Sequence, residues 1–156
     1  MVVIDLYNTP TTIRLMTIND YEQVYALWLS TPDMGLNNLD DTEDGIAKYL
    51  SRNPGTCFVA EYESRIVGVI LSGHDGRRGF IYHAAVCEGM QRRGIGTALV
   101  DAAMTALDNE GIHKVALVVY GNNEKGNTFW GKQGFTTRDD LIYRNRSITE
   151  LIMIKT

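Results

Sequence analysis

Hydrophobic and polar residues alternate with two different periods along this chain, and each change of period separates strands from helices. Alternation with period two predicts a first strand over residues 13–18. The following Asn-Asp-Tyr-Glu run has the form of a capping box, with Asn19 as N-cap and Glu22 reaching back, so we expect a helix to begin here. A polar loop follows, and a second short helix is predicted over about 43–52.

Three short apolar segments come next, separated by turn residues. They predict strands over 57–63, 65–73 and 80–87. A tight turn near Glu63-Ser64 joins the first two, and a hairpin loop at 74–79 leads into the third. This succession is typical of an antiparallel meander.

The period changes to 3.6 over residues 95–110, where Leu99, Ala103 and Leu107 share one helical face. Gly111 stands at the position where a glycine commonly ends a helix. This part of the chain therefore predicts a third, longer helix.

The last third of the chain begins with a continuous apolar run, 114–121, which predicts a central strand covered on both faces. A short helix over about 124–133 should close at Gly134, and two final strands, roughly 135–143 and 149–155, should form a hairpin. Together the elements predict one mixed α/β domain over residues 1–156, with about seven mostly antiparallel strands flanked by about four helices.

Composition and charge exclude several classes of protein. The 156 residues fit one domain, and a net charge of −4 argues against a nucleic-acid partner. We see neither a signal-peptide pattern nor an apolar run long enough to cross a membrane, and we expect a cytoplasmic protein without a membrane partner. Cys57 and Cys87 lie in apolar segments and have no metal-ligand spacing, so no metal site is predicted.

The candidate chemistry lies in the turn before the third helix, within the segment EGMQRRGIGTALVDAAM at 88–104. The first N–H groups of a helix lack internal partners and carry the positive end of the helix dipole, so they bind phosphate readily. Gly94 and Gly96 allow a close approach of the backbone to an anion, and Arg92 and Arg93 add positive charge. The turn predicts a pyrophosphate site, although two glycines alone also fit a plain tight turn with solvated arginines.

Two common phosphate motifs are absent from this turn. The dinucleotide fingerprint G-x-G-x-x-G fails because Leu99 occupies the third glycine position, and the GK[ST] of a nucleoside-triphosphate loop is missing. The full string Gln91-Arg92-Arg93-Gly94-Ile95-Gly96 instead matches the Q/R-x-x-G-x-G/A signature of the GCN5-related N-acetyltransferase (GNAT) family. Residues 123–135 resemble that family's second motif, N-x-x-A-x-x-F-Y-x-K-x-G-F. The order of elements matches too, and the resemblance covers residues 12–155.

The resemblance implies that acetyl-CoA lies in a gap between two splayed central parallel strands, 80–87 and 114–120. The backbone near Ala84 would pair with pantetheine and hydrogen-bond the thioester carbonyl, and the N–H groups of residues 92–97 would hold the pyrophosphate. The side chain of Asn123 would bond pantetheine. The residues implied to contact the cofactor are Ala84, Ala85, Val86, Gln91, Arg92, Arg93, Gly94, Ile95, Gly96, Thr97, Asn123 and Trp130.

The acid–base residues depart from the family pattern. The family's strand glutamate corresponds here to Phe80, and the tyrosine of its F-Y pair corresponds to Trp130. Tyr82 shares a strand face with position 80 and could orient a water or a substrate. His83 carries an imidazole, which titrates near neutral pH, but under strict alternation it faces the other way unless a bulge breaks the register. We select Tyr82 and His83 as the catalytic candidates, although a packed strand residue is also consistent with each. Further options are Glu61, His74, Asp75 and Tyr143.

The resemblance implies an acetyl-CoA-dependent N-acetyltransferase in which a primary amine of a small molecule or peptide attacks the thioester directly within a ternary complex. The altered acid–base positions leave an alternative, a CoA-binding module with weak or no turnover that serves as a sensor or partner subunit. The variable loops 31–42 and 74–79 should build the acceptor pocket. The apolar segment ELIMIK, 150–155, could extend a sheet between the subunits of a homodimer.

Overall fold

A computed structural model describes residues 1–6 and 9–156, and the side chains of residues 1–4 and 10–156. Within these residues the chain forms eight strands and four helices, which confirms the predicted mixed α/β class. In chain order the elements are β1 Val2–Leu6, β2 Thr9–Leu15, α1 Tyr21–Leu29, β3 Leu36–Asn37, α2 Glu43–Arg52, β4 Phe58–Tyr62, β5 Arg65–His74, β6 Gly79–Val86, α3 Ile95–Asn109, β7 Val115–Ala116, α4 Glu124–Lys132 and β8 Met153–Ile154.

Six strands form one sheet in the order β1-β2-β4-β5-β6-β7. Neighbouring strands are antiparallel except for β6 and β7, which are parallel. The sheet is therefore mostly antiparallel, as predicted, with one parallel pair at its end. Strands β3 and β8 form a separate two-stranded sheet.

Helices cover both faces of the large sheet. On one face Trp28 of α1 and Ile46 of α2 belong to the same buried cluster as Val69 of β5. On the opposite face Leu99 of α3 packs in a second cluster with Ile70 of β5. Successive residues of a strand point to opposite faces, so β5 supplies both cores and is buried along nearly its whole length.

The middle of the chain follows the sequence pattern closely. The predicted bounds of α2, α3 and α4 agree with the structure to within one residue, and the predicted α3 face is buried. Glu63 and Ser64 both have positive φ, as the tight turn between β4 and β5 requires. None of the described helices has the length and hydropathy of a membrane span.

The N-terminal prediction was wrong in detail. The strand that was expected over 13–18 is β2, which begins earlier and pairs with the unpredicted β1. Asn19 is not the N-cap, because it lies inside a short 3-10 turn. The carboxylate that reaches back belongs to Asp20, whose Oδ2 accepts the N–H of Thr17 at 2.9 Å and whose two oxygens also bind Arg14. The capping box therefore begins at Thr17, two residues before the expected cap, and encloses the 3-10 turn that leads into α1.

The C-terminal prediction was also wrong. Of the expected strand 114–121 only β7 pairs, and alternate residues of the run are exposed, so it is not covered on both faces. The expected hairpin of 135–143 with 149–155 does not form among the described residues. The backbone near Ile152 instead pairs with Asn38, whose N–H donates to the Ile152 carbonyl at 3.0 Å and whose Oδ1 accepts the Ile152 N–H at 2.7 Å. Those two bonds engage the main chain that the hairpin would have used.

Candidate functional site

The parallel strands β6 and β7 separate soon after they meet. Gly79 pairs with Val115 and Phe80 with Ala116, and no further pairing between these strands occurs within the described residues. Residues 117–120 continue without a strand partner in the described part of the chain. The edge of β6 beyond Phe80 therefore faces a gap between the two strands, at the position where the sequence predicted one.

The hydrogen bonds around β6 show which of its backbone groups face this gap. The N–H of Cys87 donates to the Val67 carbonyl at 2.8 Å, on the β5 side. Because backbone groups alternate along a strand, the N–H group of Val86 points to the opposite edge, toward β7. The Val86 carbonyl on that edge accepts a hydrogen bond from the Gln91 side chain at 3.0 Å. This edge of the gap thus offers the Val86 N–H group as a donor, and Gln91 connects the glycine-rich turn to it.

The turn before α3 has the backbone shape of an anion site. Arg92 has a φ of 62° and Gly94 a φ of 81°, both left-handed and separated by one residue. Alternation of this kind turns neighbouring N–H groups toward one side. The first helical hydrogen bond runs from the Ala98 N–H to the Gly94 carbonyl, 3.0 Å, so the N–H groups of residues 95–97 precede it at the positive end of the helix.

The two signature glycines have different physical roles. At Gly94 the surrounding space is open, and the left-handed backbone is what favours glycine. At Gly96 a Cβ would lie 3.2 Å from the ring of Phe129, so glycine lets α4 pack closely on α3. The Ile95 side chain is buried in the core, which leaves only its backbone for a ligand. Of the two arginines, Arg92 is exposed and Arg93 partly buried.

The second motif builds the beginning of α4. The Asn123 side-chain oxygen accepts the Gly126 N–H at 2.9 Å and caps the helix. A Cβ on Gly126 would lie 2.5 Å from the Asn123 amide nitrogen, which explains glycine where the family pattern has alanine. Trp130 packs edge-on against neighbouring aromatic rings, and Gln133 donates to Thr97 Oγ1 at 3.0 Å. These contacts hold α4 beside the glycine-rich turn.

A bulge in β6 brings both catalytic candidates to one face. Val69 pairs with Ala85, but Leu71 pairs with Tyr82, so β6 carries one residue more than β5 between these pairs. The backbone of His83 is left-handed there, with a φ of 46°. The sequence required a bulge for His83 to share a face with Tyr82, and this bulge provides it. Both side chains lie on the α1–α2 side of the sheet, with their rings 6.2 Å apart.

His83 is held from three directions. Its Nε2 lies 2.7 Å from Oδ1 of Asp41, in the loop between α1 and α2. Its carbonyl accepts the indole N–H of buried Trp28 at 2.9 Å, and the two rings meet edge-on. Its side chain is 14% exposed and that of Asp41 is 4% exposed. The imidazole is fixed, with a small part of its surface left open.

Tyr82 lies at the mouth of this arrangement. Its ring packs against Phe80 and, edge-on, against Tyr49 of α2, yet 44% of the residue is exposed. Burial, followed by the nearby Tyr143 and Asp40, raises the pKa of the Tyr82 hydroxyl above its ordinary value. The hydroxyl is therefore protonated at neutral pH and can donate a hydrogen bond or a proton.

Most of the other candidates are engaged elsewhere. Glu61 forms an ion pair with Arg14 at 2.7 Å, and His74 lies 3.2 Å from Glu110. Asp75 accepts hydrogen bonds from two N–H groups of its own turn. Tyr143 is exposed, and of these four residues it is the one that contributes to the raised pKa of Tyr82. In the part of the chain that the structure describes, no three His, Cys, Asp or Glu side chains group as metal ligands.

Two residues of this arrangement were missed by the sequence analysis. Asp41 lies in a polar loop without periodicity, and its partner is 42 residues away in the chain. Trp28 is fully buried in the core, but its N–H also holds the bulge. No local pattern identifies either role, because both depend on where β6 is irregular.

Comparison with known proteins agrees with this geometry. A sequence model of the acetyltransferase (GNAT) family matches residues 21–135. The chain belongs to the GNAT family. It is an acyltransferase with acetyl-CoA as its donor, and GNAT relatives are similar to it over most of its length. Acetyltransferases of Sodalis glossinidius and Pectobacterium atrosepticum are 30% and 31% identical over 138 residues, 88% of this chain and 96% of each relative.

Solved structures share the GNAT fold. Ard1 from Thermoplasma volcanium has a TM-score of 0.72 and 26% identity, over 81% of this chain and 82% of its own. The PaiA N-acetyltransferase from Thermoplasma acidophilum, solved in complex with coenzyme A, has a TM-score of 0.73 and 18% identity, over 92% of this chain and 96% of its own.

The Trp28 indole should stabilise the bulge of this GNAT domain. We expect Trp28→Phe to lower the free energy of unfolding by about 1–3 kcal/mol, because the buried His83 carbonyl loses its donor. Urea denaturation followed by circular dichroism measures this. The matched control is Trp130→Phe, since the Trp130 indole N–H has no hydrogen bond to the described residues, and it should cost less. Equal losses in the two variants would contradict the role of the indole.

Proposed function

We propose that the protein transfers the acetyl group of acetyl-CoA to a primary amine of a small molecule or peptide, by direct attack within a ternary complex. The observation that carries the proposal is the bulge in β6. Close to it lie the N–H group of Val86, which faces the β6–β7 gap, and the His83 imidazole, which is held on the α1–α2 side. A thioester in the gap would then lie close to both a hydrogen-bond donor and a proton acceptor.

The cofactor would be bound mainly by backbone groups. The N–H groups of Ala84 and Val86 would pair with pantetheine as a neighbouring strand does, and those of residues 92–97 would hold the pyrophosphate. The open space at Gly94 and the exposed charge of Arg92 favour an anion there. Asn123 keeps its amide N–H groups for pantetheine, since only its oxygen is used in capping.

The chemistry follows from these positions. An ordinary alkylammonium has a pKa of about 10.4, so the amine must lose a proton before it attacks. His83 would accept that proton as the new N–C bond forms, and the Ala84 N–H would bind the oxyanion. When the C–S bond breaks, its electron pair goes to the CoA sulfur. Protonated Tyr82 would donate a proton to that sulfur or orient the amine.

The acceptor would enter on the α1–α2 side. The loop 31–42 reaches His83 through Asp41, whereas the 74–79 hairpin contacts Glu110 at the far end of α3. The negative charge of Asp40 lies near enough to Tyr82 to raise the pKa of its hydroxyl, and it would favour a cationic acceptor. An aminoglycoside acetyltransferase solved with sisomicin shares the fold at 20% identity and a TM-score of 0.69. Aminoglycosides, aliphatic diamines and peptide amines therefore form the acceptor panel.

We also propose a cytoplasmic homodimer. Two free cysteines suit a reducing compartment. Leu141, Ile142, Tyr143 and Ile148 are exposed in the segment that precedes β8. An exposed apolar patch of this kind marks a contact surface in many proteins, and a second copy of the same segment could cover it.

Reversing the charge of Arg92 should weaken the phosphate site. We expect Arg92→Glu to lower acetyl-CoA affinity at least about tenfold, equivalent to about 1.4 kcal/mol, as measured by titration calorimetry. Arg77→Glu, in the exposed 74–79 hairpin, makes the same charge change away from the site and should leave affinity within about twofold. If both variants bind acetyl-CoA as tightly as the wild type, the proposed pyrophosphate site at the turn before α3 is refuted.

Removing the imidazole should abolish most turnover without loss of the cofactor. Asn tolerates a left-handed backbone, so His83→Asn keeps the bulge and removes the base. We expect kcat to fall roughly 10²–10⁴-fold in a CoA-release assay over the acceptor panel, with acetyl-CoA affinity retained. His113→Asn, at an exposed position, is the matched control. Tight acetyl-CoA binding by the wild type without acetylation of any amine would overturn the enzymatic proposal in favour of a binding module.

Replacing Ile142 and Ile148 together by Lys should convert a dimer to a monomer, because charge on both chains would face the same apolar contact. Light scattering after size-exclusion chromatography measures the mass. Leu29→Lys, at the exposed end of α1, is the control and should remain dimeric. A wild-type protein that is monomeric at every concentration tested would refute self-association.

A further inference from the structure

The loop between α1 and α2 holds one carboxylate in a fixed orientation. Oδ2 of Asp41 accepts the N–H of Asn37 at 2.7 Å, and the Asp41 carbonyl accepts the Tyr21 hydroxyl at 2.7 Å. The side-chain oxygen of Asn37 accepts the N–H groups of Leu39 and Asp40 at 2.9 and 2.8 Å. A buried carboxylate requires such donors. The oxygen that remains, Oδ1, points at His83.

We propose that Asp41 is a positioning residue for the transfer reaction, which fixes His83 in the tautomer with its proton on Nε2 and leaves Nδ1 to accept the proton of the amine. The inference rests on the proposed role of His83 as general base. An ionised carboxylate only accepts hydrogen bonds, so the ring nitrogen 2.7 Å from it must carry the hydrogen. In a neutral imidazole the other nitrogen then holds the lone pair.

The surroundings of His83 leave Nδ1 available for this task. Nδ1 makes no hydrogen bond to any described residue, and the ring is flanked by Trp28 and Tyr82, neither of which competes for its lone pair through a hydrogen bond. The Trp28 indole is committed to the His83 carbonyl. One nitrogen is therefore anchored and the other is unoccupied.

The left-handed backbone of His83 supports a role for the Asp41–His83 pair in the transfer reaction. A non-glycine residue with φ near +46° is in a strained backbone conformation. Such strain persists where the surrounding structure imposes it, and it clusters at active sites. Without the bulge Tyr82 and His83 could not both face the α1–α2 side, because consecutive side chains of a regular strand alternate.

The substitution Asp41→Asn tests the tautomer directly. The Asn37 N–H still needs an acceptor, so the new carboxamide oxygen should turn to it and the NH₂ group should face Nε2 of His83. Nε2 would then become an acceptor and the ring proton would move to Nδ1. Nitrogen-15 spectra of histidine-labelled protein distinguish the two tautomers. We expect the Nε2–H form in the wild type and the Nδ1–H form in the variant.

Kinetics supply the second readout. In Asp41→Asn, kcat should fall roughly 10²–10⁴-fold while KM for acetyl-CoA is unchanged, because the base and not the cofactor site is altered. Asp44→Asn, exposed in the first turn of α2, removes the same charge and should change neither tautomer nor kcat. A folded Asp41→Asn variant with the wild-type tautomer would overturn the inference. An Nδ1–H tautomer in the wild-type protein would also overturn it, and that measurement needs no variant.

The tautomer measurement also separates this inference from the proposed function. If no amine is acetylated but the tautomer changes as expected, the enzymatic proposal fails and the Asp41–His83 coupling stands. If turnover is normal and the tautomer is insensitive to Asp41, the function stands and the positioning role fails. Should Asp41→Asn fail to fold, the wild-type spectrum alone decides the assignment.

Discussion

The bulge in β6 is the constraint on which the rest of the site depends. One extra residue brings the side chains of Tyr82 and His83 together on the side of α1 and α2, while the N–H group of Val86 stays on the edge that faces β7. A regular strand could not place these two consecutive side chains on one face, because its side chains alternate between the two faces. The cost of the left-handed residue is offset by the Trp28 and Asp41 contacts, which both come from the layer above the sheet.

The sequence predicted those features whose cause is local. The periodicity of α3 and the turn glycines marked the middle of the chain, and the string from Gln91 to Gly96 marked the left-handed turn before α3. Strict alternation also showed what would have to happen for His83 to share a face with Tyr82. The existence of the bulge could not be predicted, since it is defined by register against β5.

Long-range contacts account for most of what was wrong or missed. Asp41 contacts a residue 42 positions away, and the apolar alternation near the C-terminus indicated strands without specifying their partner. That partner is the Asn37–Asn38 backbone, more than a hundred positions upstream. Glycines were a related difficulty: a sequence displays Gly94, Gly96 and Gly126 alike, although one serves conformation, one helix packing and one a helix cap.

The small sheet of β3 and β8 determines when the site can be completed. The loop that carries Asp41 begins at β3, and the Asn38–Ile152 contact beside this sheet spans 114 positions. During synthesis the N-terminal part of a domain emerges first, and contacts of high sequence separation form late. The loop thus leaves the ribosome long before the strand that anchors it. A nascent chain would have its large sheet and its glycine-rich turn in place while the Asp41–His83 pair was still unsupported.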